Sequence, residues 1–360
     1  MSTVLHPGVP DWLAYTSDPE YGRWMYEARR RFRQIEDGTI RQIREAYREA
    51  GRQIAEELAR LEFTSGGRYR RRVQWYLDHG YDLGQALELA APALTDANWR
   101  AAQEAINEAL RLLSERTLLE IASGVRGAVG AAFEPAQQMM LVVLFDVFGS
   151  AVVSAAARQM HDRALIGLVN RTGPDGLRVS DRIWRIERDV RRQLTTVIQA
   201  GVVDGMDPRK LARRVQGFMS PGVGRPLSPA TRRRLRVSRD VSMEALRLAV
   251  TEQQHAWHEA SIQANHMAPG YKGIIWRLSA SHPRPCECDD LARHNGNGFW
   301  PAGQEPVKPH PFCRCVAIPV LEDRQVIVQR LRRWIQDPAS EPDIQRWYEG
   351  VREYLPRLAA

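Results

Sequence analysis

The chain has 360 residues, with 51 Lys and Arg against 43 Asp and Glu, a net charge of +8, 44% hydrophobic residues and four cysteines. That length and hydrophobic content suit two or three domains with a real core, and exclude a collagenous or wholly disordered chain. With 26% charged residues and a mean hydropathy below zero, a multi-span membrane protein is excluded too.

Lysine occurs only at Lys210, Lys272 and Lys308, and the other 48 cations are Arg. Codon usage in a genome rich in G and C explains that bias, and a preference for bidentate phosphate contacts would produce it as well. The opening MSTVLHPGVPDW has neither the basic segment nor the apolar stretch of a secretory signal, which predicts a cytosolic protein.

Residues 21–63 carry Ile40, Ile43, Tyr47, Ala50, Ile54, Leu58 and Leu61 at spacings of three or four, with charges on the other faces. This period predicts a long helix, either a bundle helix or an arm that docks a partner. A kink is expected at Asp37-Gly38, and a stop and hinge at Thr64-Ser65-Gly66-Gly67.

The helical period continues from residue 68 to about residue 202. Thr95 or Asp96 is expected to cap a helix through Trp99, Ala102, Ile106, Leu110 and Leu113, and Pro135 to open an apolar one. The most membrane-like stretch, residues 139–157, has Asp146 near its middle and Gly149, Ser150 and Ser154 diluting its second half, so it reads as a buried helix. A turn over residues 170–176 precedes a helix that Ser180 is expected to cap. Asp181, Glu187, Asp189 and Glu259 read as solvated helix faces.

Asp207-Pro208 and Ser228-Pro229 each set a capping residue before a proline at the first helical position. A Gly/Pro-rich loop over residues 220–226 lies between them. From residue 209 to 239 the cations are Arg209, Lys210, Arg213, Arg214, Arg225, Arg232, Arg233, Arg234, Arg236 and Arg239, with no Asp or Glu. Such a surface neutralises nucleic-acid phosphates, docks an acidic partner or is simply solvated. No zinc-finger, RRM or homeodomain pattern accompanies it.

Residues 241–265 predict a helix with Met243, Leu246, Val250 and Trp257 on or near one face and Thr251-Glu252 inside it. Residues 274–278 and 315–320 have strand composition and are expected to pair, with Phe299 and Trp300 covering the loop between them. Residues 322–360 read as amphipathic helix broken at Asp337-Pro338 and Glu341-Pro342.

All four cysteines fall within thirty residues, as Cys286-Glu287-Cys288 and then His310-Pro311-Phe312-Cys313-Arg314-Cys315. On extended chain, alternation puts both thiols of each Cys-x-Cys pair on one face, and two such edges can face one metal. Cys286, Cys288, Cys313 and Cys315 then supply four thiolates to a structural zinc, with His310 or His282 as substitutes. A disulfide staple, disfavoured in cytosol, and free thiols are the alternatives. Residues 289–309 are rich in Gly, Asn and Pro and need their ends tied, which a zinc does with on the order of ten kcal/mol of apparent folding energy.

Taken in order, Thr251-Glu252, Trp276, Cys286-x-Cys288-x-x-Leu291, Pro309-His310-Pro311-x-Cys313-Arg314-Cys315 and Pro319 make the chain resemble the phage minor head proteins of the Mu F type. The resemblance to this head-morphogenesis family covers about residues 211–320. The family's first cysteine pair is more often Cys-x-x-Cys, where Cys286-Glu287-Cys288 stands here. The resemblance implies a non-enzymatic, low-copy component of a tailed-phage head that works with the portal in head assembly and in DNA packaging or ejection. It implies a place in the virion, in the head interior or the portal and neck region, and in host cytoplasm during assembly. The toxin or transferase domains fused behind the motif in some members are not expected in the forty-residue tail. Glu252, in the family-like Thr-Glu pair, is expected to make a buried hydrogen bond that orients its helix.

Two other readings compete. One is a zinc-stabilised DNA-binding scaffold using Arg209, Lys210, Arg213, Arg214, Arg232, Arg233, Arg234 and Arg236. The other is a metal-dependent nuclease using His282, His294, Asn295 and His310, although no helix to hold a catalytic metal is expected after Asn295. The expected architecture is mainly α: a helical arm (1–66), a helical core (67–205), a head-morphogenesis domain with basic helices and a small α+β, zinc-knob-like cysteine module (206–322), and a helical tail (323–360).

Overall fold

The computed structural model describes residues 18–61, 66–95, 97–173, 175–220, 227–282 and 285–355. Phe63, the hinge residues Thr64 and Ser65, the cap at Asp96, Pro174 and the loop after Ser220 with Arg225 lie outside them. The chain is mainly α, with one three-stranded sheet among the described residues and the four cysteines clustered beside it.

Helix α1, Pro19–Leu58, continues through Asp37 and Gly38, where the sequence predicts a kink. Its expected seam is largely right, since Ile43, Tyr47, Ala50, Ile54 and Leu58 are all buried. Helices α2, Gly66–Asp78, and α3, Leu83–Ala90, follow. The N-cap of α3 is Asp82, which accepts from the Gln85 N–H while the Gln85 side chain accepts from the Asp82 N–H.

The next helix, α4, runs Ala97–Phe148 and has Pro135 in its interior, not at its start as the sequence predicts. Ala128, Val129, Ala132, Phe133, Ala136, Met139 and Met140 are buried on both sides of the proline. Burial of that apolar stripe offsets the one backbone bond that Pro135 removes. The expected single helix over residues 139–157 is two, because Gly149 (φ 77) ends α4 and α5 begins, Ser150–Val169. By length and composition α4 could cross a membrane, but 61% of its most apolar window is buried.

Helix α6, Val179–Val203, is capped by Asp181, whose carboxylate accepts from the Arg178 N–H at 2.9 Å; Ser180, the expected cap, lies inside the first turn. Glu187, expected on a solvated face, is buried, ion-paired with Arg191 and accepting from Ser114 Oγ at 3.1 Å. The two Asx/Ser-Pro signals hold as read: Asp207 caps α7, Pro208–Met219, and Ser228 caps α8, Pro229–Leu235. Helix α9 spans Met243–His266, with Leu246, Val250 and Trp257 buried and Met243 half exposed.

The predicted strands pair antiparallel, β1 (Tyr271–Arg277) with β3 (Val316–Leu321), and Ile275 faces Ile318. A third strand, β2 (Phe299–Pro301), pairs with the other edge of β1, so Phe299 and Trp300 belong to the sheet itself. Helix α10, Glu287–Arg293, lies between β1 and β2 in the chain. The tail is helical as expected, α11 (Arg324–Gln336) and α12 (Pro342–Val351), broken at the two Pro sites.

By their contacts the residues form two units that cut across the four sequential segments read from the sequence. The first comprises Met1–Gly38, Ala122–Arg171 and Ala249–Ala360, and the second Thr39–Ile121 and Thr172–Leu248. In the first, Phe32 stacks on Trp257 at 4.9 Å and the buried Tyr21 hydroxyl donates to Asn265 Oδ1 at 2.6 Å. In the second, the Tyr69 hydroxyl donates to the Leu87 carbonyl at 2.9 Å and Tyr47 and Leu110 are buried.

Candidate metal centre

The first cysteine pair does not lie on a strand. Cys286 is the N-cap of α10, where its N–H donates to Asp289 Oδ2 at 2.7 Å, and Cys288 is in the first turn of that helix. A helix start turns the two thiols toward one side as effectively as extended chain does. Cys313 and Cys315 sit in the segment that leads into β3. Cys288, Cys313 and Cys315 are at most 2% exposed, and with Ile274, Trp276 and Ala317 they form one buried cluster.

Six donors converge there. Cys286 Sγ is 3.2 Å and Cys288 Sγ 3.4 Å from His310 Nε2, Cys288 Sγ is 3.4 Å from Cys313 Sγ, and His282 Nδ1 is 3.8 Å from Cys315 Sγ and 4.0 Å from Cys286 Sγ. All four cysteines are free thiols, and 3.4 Å is far beyond a sulfur–sulfur bond of about 2 Å. A tetrahedral zinc with bonds of about 2.3 Å to sulfur and 2.0–2.1 Å to nitrogen sets its ligand atoms roughly 3.5–3.8 Å apart. The observed spacings, 3.2–4.0 Å, bracket that edge length. Cys286, Cys288 and His310, and likewise Cys288, Cys313 and Cys315, keep their donor atoms within 4.8 Å of one another. These residues could hold a metal ion, and Cys288 is common to both groups.

Both imidazoles are oriented from behind, as metal-ligating histidines are. His282 Nε2 is 3.0 Å from Asp289 Oδ2, and that carboxylate pushes the imidazole pKa up while its own is held low chiefly by the Cys286 N–H. His310 Nδ1 lies 2.9 Å from the Pro311 carbonyl. Burial pushes the Cys288 thiol up to about 12, a penalty that a cation among the sulfurs removes by binding the thiolate.

One buried cation is already present and was not foreseen. Lys308, 5% exposed, donates to the carbonyls of Cys313 and Cys315 and sits 5.4 Å from the Trp276 ring centroid. Burial lowers its pKa to about 8, opposed by the neighbouring thiols. Its only signal in the sequence is that it is one of three lysines.

The Thr251-Glu252 pair has a structural meaning. The Phe312 N–H donates to Thr251 Oγ1 at 3.3 Å, which ties α9 to the turn before Cys313. Glu252 is buried and pairs with Arg171 at 3.4 Å, the orienting contact expected of it, and Arg171 also pairs with Glu259 at 3.4 Å. Glu259, read as solvated, is half-buried, and burial raises its pKa. Further along the same face of α9, the buried His258 has Nε2 2.7 Å from the Pro306 carbonyl and its ring edge-on to Trp276 at 5.5 Å. Burial lowers the His258 pKa to about 3, which keeps it a neutral part of the core.

Two backbone positions shape the module. Gly298 (φ 78) donates to the His294 carbonyl at 2.7 Å and accepts from the Trp276 N–H at 2.8 Å, and a Cβ there would stand 2.7 Å from Trp276 O. Phe312 adopts φ 59, which a bulky side chain rarely does. Replacing Phe312 by Asn, which tolerates that region, is expected to raise stability by up to about 1 kcal/mol in a thermal melt. A loss of stability would mean that the ring outweighs the strain.

The other predicted site residues lie elsewhere. His294 stacks on Trp300 at 3.6 Å, and Asn295 donates to the Phe299 carbonyl, so neither joins the donor cluster. Arg209, Lys210 and Arg213 are exposed on α7, whose Arg214 pairs with Asp204 at 3.4 Å. Arg233 and Arg234 on α8 and Arg236, its C-cap, are exposed, Arg236 pairs with Asp82 at 3.3 Å, and Arg232 donates to the Leu227 carbonyl. These cations are in the second unit, which has 29 Lys and Arg against 21 Asp and Glu, while the first has 22 of each, so the second carries the whole net charge of +8.

Comparison with known proteins finds no matching family model, curated protein or solved structure.

Proposed function

We propose that this chain is a minor head protein of a tailed phage, of the Mu F-like head-morphogenesis type, which acts with the portal in head assembly and in DNA packaging or ejection. The observation that carries the reading is the convergence of the motif. Thr251, Trp276, the four cysteines and His310 are spread over residues 251–315, yet Trp276, Cys288, Cys313 and Cys315 meet in one buried cluster, Cys286 and His310 reach it from its edge, and Thr251 accepts from the Phe312 N–H beside it. The metal is a structural zinc held by Cys286, Cys288, Cys313 and Cys315, with His310 and His282 at its edge. When bound, it ties the ends of residues 289–309, and the chain's own residues do the rest: Lys308 balances thiolate charge and Asp289 holds the start of α10. Burial of the sulfurs and the mutual contact of the donors favour an assembly role over turnover.

The protein acts in the virion, in the head interior or at the portal and neck, and in host cytoplasm during assembly. Co-expression with the portal protein of the same phage tests the reading, and the expected result is co-purification with the assembled portal ring. Failure to associate with portal and head proteins would sink it.

The concentration of the whole net charge in the second unit favours a second reading, a zinc-stabilised DNA-binding scaffold. That reading expects salt-sensitive DNA binding, lost on replacing Arg233, Arg234 and Arg213, together with no affinity for a portal.

A further inference from the structure

Within the first unit, beside the cysteine segment, lies a cavity of about 490 Å³. Arg29 and Arg33 of α1, Arg277 at the end of β1, Ser279 and Ser281 in the turn after it, and Arg314 all line it. Four guanidinium groups around one cavity repel one another unless carboxylates or a ligand intervene.

Two carboxylates line it as well, Glu36 and Asp37. Glu36 is buried and committed, since it is ion-paired with Arg314 and accepts from Gln254 Nε2 at 2.7 Å. Asp37 is exposed. Arg29 is the informative group. It is 5% exposed, its Nε and Nη1 have no hydrogen-bond partner, and its Nη2 reaches Gln254 Oε1 only at 3.5 Å. It packs against the rings of Phe32 and Trp257, with centroid distances of 5.0 and 5.2 Å, which position the charge without supplying an acceptor. Burial, with the charge of Arg33 added and Glu36 opposing, lowers its pKa to about 10. Arg33 itself is exposed and makes no ion pair among the described residues.

A buried guanidinium lacking acceptors is destabilising, and an anion with several oxygens offsets that cost. Forked N–H donors match a tetrahedral oxyanion, and the Ser279 and Ser281 hydroxyls, 3.1 Å apart, add donors at the mouth. The volume is that of a small-molecule site and exceeds what a bare phosphate fills. We propose that this cavity binds a phosphate ester of nucleotide size, its phosphate held by Arg29, Arg33 and Arg277 with Ser279 and Ser281. The proposal stands apart from the head-protein reading and from the basic helices of the second unit.

Calorimetry on the full-length, metal-loaded protein tests it with two probes, inorganic phosphate and a nucleoside monophosphate. The nucleotide is expected to bind at one site, and Arg33→Ala to weaken it about tenfold or more, the loss of a charge-assisted contact. Arg33 is exposed, so its replacement leaves folding intact; Ser279→Ala is a second, milder variant, and Arg213→Ala in the second unit is expected to change nothing. Equal affinity for both probes, still lowered by Arg33→Ala, would support the phosphate site and assign it to free phosphate. No binding of either probe, or binding that Arg33→Ala leaves unchanged, would overturn the proposal.

Discussion

Chelation of the proposed zinc is expected to unfold the module over residues 271–321 and to release four thiols, with the helices of the second unit keeping their protection. The effect is large because the module has little regular structure of its own. Its sheet has three short strands, and residues 302–315 cross the cluster without regular structure. Isolated small sheets are marginal, and a structural zinc contributes on the order of ten kcal/mol of apparent folding energy.

Cys288→Ser is expected to reproduce the chelated state. Cys288 is buried, in contact with Cys313 and His310, and shared by both donor groups. Elemental analysis is expected to find one zinc in the wild type and none in the variant, with hydrogen exchange rising across β1 and β3. Protein purified without added metal that contains none, and whose four thiols titrate without denaturant, would remove the zinc from the proposal.

What was legible in the sequence follows from how local each signal is. Asp207-Pro208 and Ser228-Pro229 specify a helix start within four residues, and both helices begin where they say. The pairing of β1 with β3 was legible from composition because both strands are apolar and bounded by turn residues. Cys286-Glu287-Cys288 misled because its alternation fits a strand, while Asp289, one residue beyond, closes a capping bond to the Cys286 N–H and starts a helix.

Pro135 misled in the opposite direction: its local preference for a first turn lost to tertiary burial on both sides of it. Glu187 and Lys308 could not be read at all. Charged residues are normally solvated, and their burial is decided by Ser114 and Arg191 in one case and by the carbonyls of Cys313 and Cys315 in the other. The cysteines' convergence was legible from number and spacing, but the orientation of His282 by Asp289 needed the fold.

Glu36→Ala is expected to cost about 3 kcal/mol of stability while the metal stays bound. Glu36, on α1, is buried where Arg314 and Gln254 meet it, and Arg29 lies close by. Removing its carboxylate leaves one buried guanidinium and one half-exposed one without a counter-charge, and breaking a buried pair from one side costs about 3–5 kcal/mol. Arg314 is 43% exposed, so water screens its share and the lower end applies.

Arg314 stands between two of the metal-cluster cysteines, so this pair is how the cysteine segment grips the first helix. A double-mutant cycle with Arg314→Ala is expected to return a coupling of about 1–2 kcal/mol. Hydrogen exchange should rise at residues 312–316, next to Arg314, more than at α10, which Asp289 holds independently. A Glu36→Ala variant within about 0.5 kcal/mol of the wild type would show that water already satisfies both guanidiniums, since only large losses point to an unpaired buried charge. Arg314 would then be a solvated side chain, and the cysteine segment would be tied to α9 through Thr251, and α9 to α1 through the Phe32–Trp257 stack and the Tyr21–Asn265 bond.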